Sequence, residues 1–166
     1  MRTFSTTLAL ALTLVAGTAA AQARIQVTDP WVRATVPQQK STGAFMTITS
    51  PTDARLVEAR SPLTPSVEVH EMAMEKDVMK MRQVNSVPLP AGQPVALTPG
   101  GFHMMLLDLK QQVKVGDTVP LTLVVEGADG KRQSVEVQAA VRPLNAGAAP
   151  AAAGHGDHMH GADHKH

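Results

Sequence analysis

The chain has 166 residues, 15 basic and 14 acidic side chains, and no cysteine. With charges this close to balance, neither a nucleic acid nor an anionic membrane surface is an expected partner. The absence of cysteine excludes disulfides, blue-copper electron transfer and thiol-based reduction, so any soft-metal chemistry must use methionine or histidine.

Residues 1–23 have the pattern of a secretory signal peptide. Arg2 supplies the positive charge, the apolar stretch runs from Leu8 to Val15, and mostly small residues follow up to Ala23. This stretch is shorter than the roughly 20 apolar residues that a membrane-spanning helix needs. We therefore predict export to the periplasm, cleavage after Ala21 or Ala23, and a mature protein that is not inserted in the membrane.

Residues 24–142 are predicted to form one all-β domain. Apolar residues recur with a period of two in short runs such as 45–49, 67–72 and 121–125, and Pro, Gly and Asp separate the runs. Asp129-Gly130 lies between two such runs and predicts the turn of a hairpin. Seven or more short strands at this spacing indicate a β-sandwich or barrel.

Histidine and methionine are concentrated in one part of this domain. Only two of the seven histidines, His70 and His103, fall within the domain, and each is followed closely by methionines. The same stretch holds six of the nine methionines: Met72, Met74, Met79, Met81, Met104 and Met105. Thioether and imidazole ligands together favour Cu(I), whereas calcium and magnesium require oxygen ligands. The composition of this stretch thus indicates a copper site.

Strand alternation predicts which residues of His103-Met104-Met105 can bind one ion. Residues i and i+2 of a strand lie on the same face about 7 Å apart, so His103 and Met105 can converge while Met104 faces the core. Two further pairs share a face by the same rule: Met79 with Met81, and His70 with Met72. Alternation alone leaves open which member of each pair is a ligand.

Core packing is the competing interpretation of these side chains. Methionine fills irregular gaps in many cores, and a histidine in a strand is often structural. An adhesive or structural β-sandwich would bury the methionines and be indifferent to copper. Titration with Cu(I) under anaerobic conditions separates the two interpretations.

The spacing of four residues resembles the motif of a known family. His70, Met81, His103 and Met105 follow the pattern of a His or Met, ten residues, a Met, twenty-one residues, then His-x-Met. That pattern belongs to the periplasmic copper chaperones of the PCuAC family, which deliver Cu(I) toward the binuclear copper site of cytochrome c oxidase. The segments 42–48, 69–72, 78–82 and 99–106 also look like this family, and the similarity extends from about Trp31 to Val141.

The resemblance implies both a fold and a ligand set. The fold is a cupredoxin-like Greek-key β-sandwich with a metal site near its surface. The implied Cu(I) ligands are His70, Met81, His103 and Met105. The resemblance also implies that three other methionines are neighbours of the site and not ligands: Met72, Met74 and Met79.

The function implied by the resemblance is copper transfer and not catalysis. No nucleophile or paired-carboxylate constellation stands out, and either cleavage site leaves Gln22 or Arg24 first, which excludes an oxidase built around an N-terminal histidine. The expected recipient is cytochrome c oxidase subunit II or another assembly chaperone. A periplasmic copper buffer or resistance protein without a dedicated recipient would use the same ligands and remains the alternative.

Residues 143–166 are predicted to form a flexible tail, because Ala, Gly, Asp and His dominate and cannot bury enough apolar surface. The tail carries six potential ligands: His155, His158, Met159, His160, His164 and His166. Several imidazoles on a flexible chain bind Cu(II) strongly, and this tail resembles extensions in some PCuAC proteins where a second site accepts Cu(II). We expect the tail to capture Cu(II), with non-specific scavenging or no role as the alternatives.

Overall fold

A computed structural model describes residues 24–147, and these residues form ten strands and no helix. In chain order the strands are β1 (Gln26–Arg33), β2 (Thr42–Thr49), β3 (Ala54–Arg60), β4 (Ser66–Glu75), β5 (Val78–Gln83), β6 (Val87–Leu89), β7 (Pro94–Leu97), β8 (Phe102–Leu107), β9 (Thr118–Gly127) and β10 (Arg132–Arg142). The prediction of an all-β domain is confirmed. The predicted signal peptide lies outside the described residues. Within residues 24–147 there is no helix that could cross a membrane.

The strands form one continuous sheet in the order β5-β4-β8-β2-β1-β10-β9-β3-β6, and β7 also pairs with β2. All pairings are antiparallel except that of β1 with β10, which is parallel. The sheet folds on itself around one apolar core that receives side chains from both halves. Fully buried members of the core include Ile48, Leu56, Met104, Leu106, Leu121 and Leu123.

Two turns set the register of the hairpins that matter here. Gly130 adopts a φ of 75°, and β9 and β10 pair on either side of it, which confirms the hairpin predicted at Asp129-Gly130. Lys76 and Asp77 join β4 to β5, and both have positive φ, at 49° and 62°. A two-residue turn with two positive φ values matches the right-handed twist of paired strands, so it fixes which residues of β4 and β5 face each other.

A bulge in β1 changes which residues face each other near the middle of the sheet. Asp29 has a φ of 50°, and the register slips between Thr28 and Trp31. As a result Trp31 lies opposite Phe45 of β2. Sequence alternation cannot locate such a shift, because a bulge inserts one residue into one strand only.

The segment after β10 packs on the domain before the described chain ends. Residues 143–147, which composition assigns to the tail, include a turn at Gly147 with a φ of 76°. Arg33 donates a hydrogen bond to the carbonyl oxygen of Ala146 at 3.5 Å, and a Cβ at Gly147 would lie 3.1 Å from both Trp31 and Pro99. The six predicted tail ligands lie beyond this point and outside the described residues.

Candidate metal centre

The two histidines of the domain lie directly opposite each other on β4 and β8. His70 pairs with His103 in the antiparallel register, so both side chains emerge on the same face, with ring centroids 5.9 Å apart. Met105 lies two residues further along β8 on that face, opposite Glu68. Met104 points the other way and is fully buried in the core, as strand alternation predicts.

Met81 reaches the same place from β5. The hairpin register puts it opposite Met72, on the face that carries His70. Its Sδ lies 3.3 Å from Nε2 of His103. An imidazole nitrogen and a sulfur bound to one tetrahedral ion are about 3.5 Å apart, given bonds of roughly 2.0 and 2.3 Å. The spacing of these two donor atoms therefore fits a single soft ion between them.

A backbone contact determines which nitrogen of His103 is free. Nδ1 of His103 lies 3.0 Å from the carbonyl oxygen of Gly101. A carbonyl oxygen only accepts hydrogen bonds, so Nδ1 carries the proton in the neutral ring. The lone pair is then on Nε2, the nitrogen that faces Met81. This is the way protein metal sites usually orient a histidine ligand.

Glu68 determines the free nitrogen of His70 in the same way. Its Oε2 lies 2.8 Å from Nε2 of His70, and a carboxylate accepts a hydrogen bond from that nitrogen. The lone pair of the neutral ring is then on Nδ1, which is buried and has no hydrogen-bond partner among residues 24–147. Glu68 is not among the residues predicted for the site, although its position two residues before His70 on the same strand places it on the face of His70.

A surface pocket of about 260 Å³ connects most of these groups. Its walls include three of the four predicted ligands, Met81, His103 and Met105, together with Met72. The fourth predicted ligand, His70, is not part of the wall; its ring lies beside that of His103, and 12% of its side chain is exposed. Met72, which the resemblance treats as a neighbour, is as much part of the pocket wall as the predicted ligands. Met81 is half exposed, so the pocket is accessible from solvent.

Two aromatic side chains pack together at the base of the pocket. The rings of Trp31 and Phe45 are 4.3 Å apart between centroids, and Phe45 lies 6.4 Å from the ring of His103. The guanidinium of Arg33 lies 5.4 Å from the centroid of Phe45, within cation–π range. The sequence contains no local signal for this aromatic pair, because its position depends on the β1 bulge and on the β2–β8 pairing.

The missing side chain of Gly43 makes room for the ring of Phe45. Gly43 is paired with Met105, and a Cβ at this position would lie 2.6 Å from Cζ of Phe45. We expect Gly43→Ala to displace the buried ring and to lower the free energy of unfolding by about 1–3 kcal/mol. Gly100→Ala is the control, since its Cβ would meet nothing within 4 Å. Urea unfolding of the copper-free protein measures both, and equal stabilities would contradict this packing.

A second, larger cleft of about 690 Å³ lies near the turn that joins β9 to β10, close to Ser50 and Arg132. Neither histidine nor methionine lines it. The first pocket, whose walls carry Met72, Met81, His103 and Met105, is therefore the better candidate for a soft-metal site.

Comparison with known proteins gives a consistent set of relatives. A family described as “Putative lipoprotein LpqE-like” matches residues 25–141. A curated protein of Leifsonia xyli subsp. xyli (strain CTCB07), “Putative lipoprotein Lxx21020”, is 31% identical over 114 residues, which are 68% of each chain.

The solved structures of similar fold include copper-bound proteins. The copper-bound PCuAC domain from PmoF2 superposes with a TM-score of 0.58 at 26% identity, covering 72% of this chain and 92% of that domain. Apo-DR1885 from Deinococcus radiodurans has a TM-score of 0.55 at 30% identity, with 86% and 96% covered. The Cu(I) form of DR1885 has a TM-score of 0.50 at 32% identity, with 76% and 85% covered.

Proposed function

The chain belongs to the LpqE-like, PCuAC-type family, and we propose from this that it is a copper chaperone that binds Cu(I) through His70, Met81, His103 and Met105. The resemblance to the PCuAC family and the cupredoxin-like all-β fold, both predicted from the sequence, are confirmed. Its fold relatives include copper-bound and Cu(I)-bound proteins, which supports copper as the cargo.

The observation that carries the ligand assignment is the 3.3 Å contact between Sδ of Met81 and Nε2 of His103. Two donors from residues 22 positions apart lie at a distance that fits one shared ion, close to Met105 and His70. Two thioethers and two neutral imidazoles add no net charge, so they stabilise Cu(I) over Cu(II). X-ray absorption of the protein with one equivalent of Cu(I) should count two sulfur and two nitrogen ligands.

Transfer follows from the exposure of Met81 and from the neutral ligand set. An incoming ligand can form a bond to copper as the thioether of Met81 leaves, and the ion remains Cu(I) throughout. A thiolate-containing recipient binds Cu(I) more tightly than thioethers do. We propose cytochrome c oxidase subunit II or another assembly chaperone as that recipient, and no enzymatic step is involved.

A copper buffer or resistance protein without a dedicated recipient remains the second candidate, because it would use the same pocket. The two functions predict different phenotypes when the gene is deleted. Deletion of the gene should impair oxidase assembly at low copper if the protein is a chaperone, and should only lower copper tolerance if it is a buffer.

The proposed location is the periplasm, on the basis of the signal-peptide pattern in residues 1–23. We also propose that the mature protein is not inserted in the membrane. Mass spectrometry of the exported protein would give the cleavage site, with Gln22 or Arg24 as the expected first residue.

Glu68 is proposed to position His70 for copper. Glu68→Gln keeps the size of the side chain, but its amide can also donate to Nε2 and so no longer selects the tautomer with a free Nδ1. We expect the Cu(I) affinity to fall about tenfold, at the lower end of the effect of losing a partner behind a metal ligand. Competition with a Cu(I) chelator measures the affinity, and nitrogen-15 NMR of the copper-free protein reports the tautomer of His70 directly.

The control for this substitution is Glu58→Gln on β3, a strand that pairs with β6 and β9 and not with the strands of the pocket. It removes a carboxylate whose pKa is lowered by the hydrogen bond from Arg60, and the copper affinity should be unchanged. An unaltered tautomer and affinity in Glu68→Gln would show that Glu68 does not act on His70.

A further inference from the structure

The hairpin of β4 and β5 extends beyond the rest of the sheet. Pairing of β4 with β8 ends at Glu71, and the last contact is the hydrogen bond from the backbone nitrogen of Met72 to the carbonyl oxygen of Gly101 at 3.1 Å. From there to the Lys76-Asp77 turn, β4 is paired only with β5, the edge strand. We call this extension, residues 72–81, the hairpin arm.

The two faces of the hairpin arm differ completely in chemistry. One face carries ion pairs, between Lys80 and Glu75 at 3.0 Å and, at its base, between Arg82 and Glu71 at 2.8 Å. The hydrogen bond with Glu71 raises the pKa of the Arg82 guanidinium, as expected for a pair of this kind.

The other face carries four thioethers in two directly opposed pairs: Met72 with Met81, and Met74 with Met79. Opposed residues of an antiparallel pair have Cβ atoms about 4.5–5.5 Å apart, and successive pairs on one face are about 7 Å apart along the strands. This face is continuous with His70 and His103. The thioethers therefore form a ladder that leads from the tip of the arm to the pocket.

Core packing does not account for the outer pair. Met74 is 64% exposed and Met79 is 46% exposed, so burial of these side chains contributes little to stability. The other face of the arm carries ion pairs and offers no apolar core for them. Clustered exposed apolar side chains on a domain surface usually mark a binding site. The chemistry common to this cluster is the thioether, a soft ligand that selects Cu(I).

We propose that Met74 and Met79 form a second, weaker Cu(I) site, through which the ion enters and leaves the pocket by way of Met72 and Met81. The inference rests on the proposed function of the pocket and extends it. Along the arm one copper–sulfur bond forms as another breaks, and at the pocket bonds to the imidazole nitrogens and to Met105 form as the bond to Met72 breaks. The ion stays Cu(I), so no electron or proton is transferred. Two exposed thioethers bind more weakly than the four ligands of the pocket, so the ion moves inward at equilibrium.

Methyl NMR of the full chain, with carbon-13 at the methionine methyl groups, tests the second site during anaerobic titration with Cu(I). The first equivalent should shift Met81 and Met105. Further Cu(I) should shift Met74 and Met79 together, with one apparent affinity, while the buried methyls of Met46 and Met104 stay in place. Because each methyl is observed separately, Cu(I) bound elsewhere on the chain does not obscure the result.

Two failures can be told apart in the same spectra. Absence of a response at Met81 and Met105 overturns the proposed function of the pocket. A normal response there, with no change at Met74 and Met79 or with unrelated shifts of the two, overturns the second site alone.

The path itself is tested by the rate of Cu(I) transfer to a chelator from protein loaded with one equivalent. Met74→Leu combined with Met79→Leu conserves volume and leaves the ligands of the pocket in place. We expect transfer to slow about tenfold, equivalent to roughly 1.4 kcal/mol in the barrier, with the pocket affinity kept. Val78→Leu, an exposed position on the other face of the arm, should leave the rate unchanged. Equal rates in all three proteins would overturn the path.

Discussion

Replacement of Met81 or Met105 by leucine should lower the Cu(I) affinity by about 100-fold or more, since loss of a partner behind a ligand already costs roughly 10–100-fold. Leucine has nearly the volume of methionine, so the fold should survive at a cost below about 1.5 kcal/mol. At Met81 the cost should be smaller still, because half of this side chain is exposed. Competition with a Cu(I) chelator measures the affinity, and urea unfolding confirms that the variants are folded.

Met104→Leu is the matched control for this prediction. Met104 is the sequence neighbour of Met105 but lies fully buried on the opposite face of β8. Its substitution should affect stability slightly and copper affinity hardly at all. Equal losses at positions 104 and 105 would mean that the face assignment of β8 is wrong. An undiminished affinity in Met81→Leu would mean that the long-range part of the motif is coincidental.

Removal of residues 148–166 should abolish most of the Cu(II) binding of the protein while its unfolding transition hardly moves. Five histidines lie in this segment, and neutral imidazoles are the strongest Cu(II) ligands that the chain offers outside the pocket. The cut follows Gly147 and not Pro143, because Ala146 accepts a hydrogen bond from Arg33 and Gly147 lies against Trp31 and Pro99. Isothermal titration with Cu(II) and a thermal melt measure the two effects.

Alanine replacement of all five tail histidines in the full-length chain is the corresponding control, since it removes the ligands without shortening the protein. It should lose as much Cu(II) affinity as the truncation. Undiminished Cu(II) affinity in the truncated protein would remove the tail from the proposed mechanism. Pro99 lines the pocket and also lies beside Gly147, so the described part of the chain ends near the pocket.

Some features of the domain could be predicted because they depend only on neighbouring residues. The alternation that puts Met104 in the core and His103 with Met105 on the opposite face is a property of a single strand. The turn at Asp129-Gly130 depends on the ability of glycine to adopt a positive φ. The four-residue spacing led to the family, because such a pattern over 36 consecutive residues, from His70 to Met105, is specific.

Other features depend on how distant strands are aligned, and the sequence contains no local signal for them. Neither the opposition of His70 and His103 nor the contact of Met81 with Nε2 of His103 follows from spacing. The first needs the register of β4 with β8, and the second needs in addition the register of β4 with β5. The Lys76-Asp77 turn sets one of these registers with residues that are not typical of such turns.

The sequence by itself therefore determined the all-β class and the family, and it predicted the residue types of the proposed metal site. The tertiary structure alone decided which nitrogen of each histidine is free, through Gly101 and Glu68, and that the methionine pairs of the hairpin arm lie on the face of the pocket. The physical reason is that side-chain alternation is local to a strand, whereas register is a cooperative result of turns, bulges and core packing across the whole sheet.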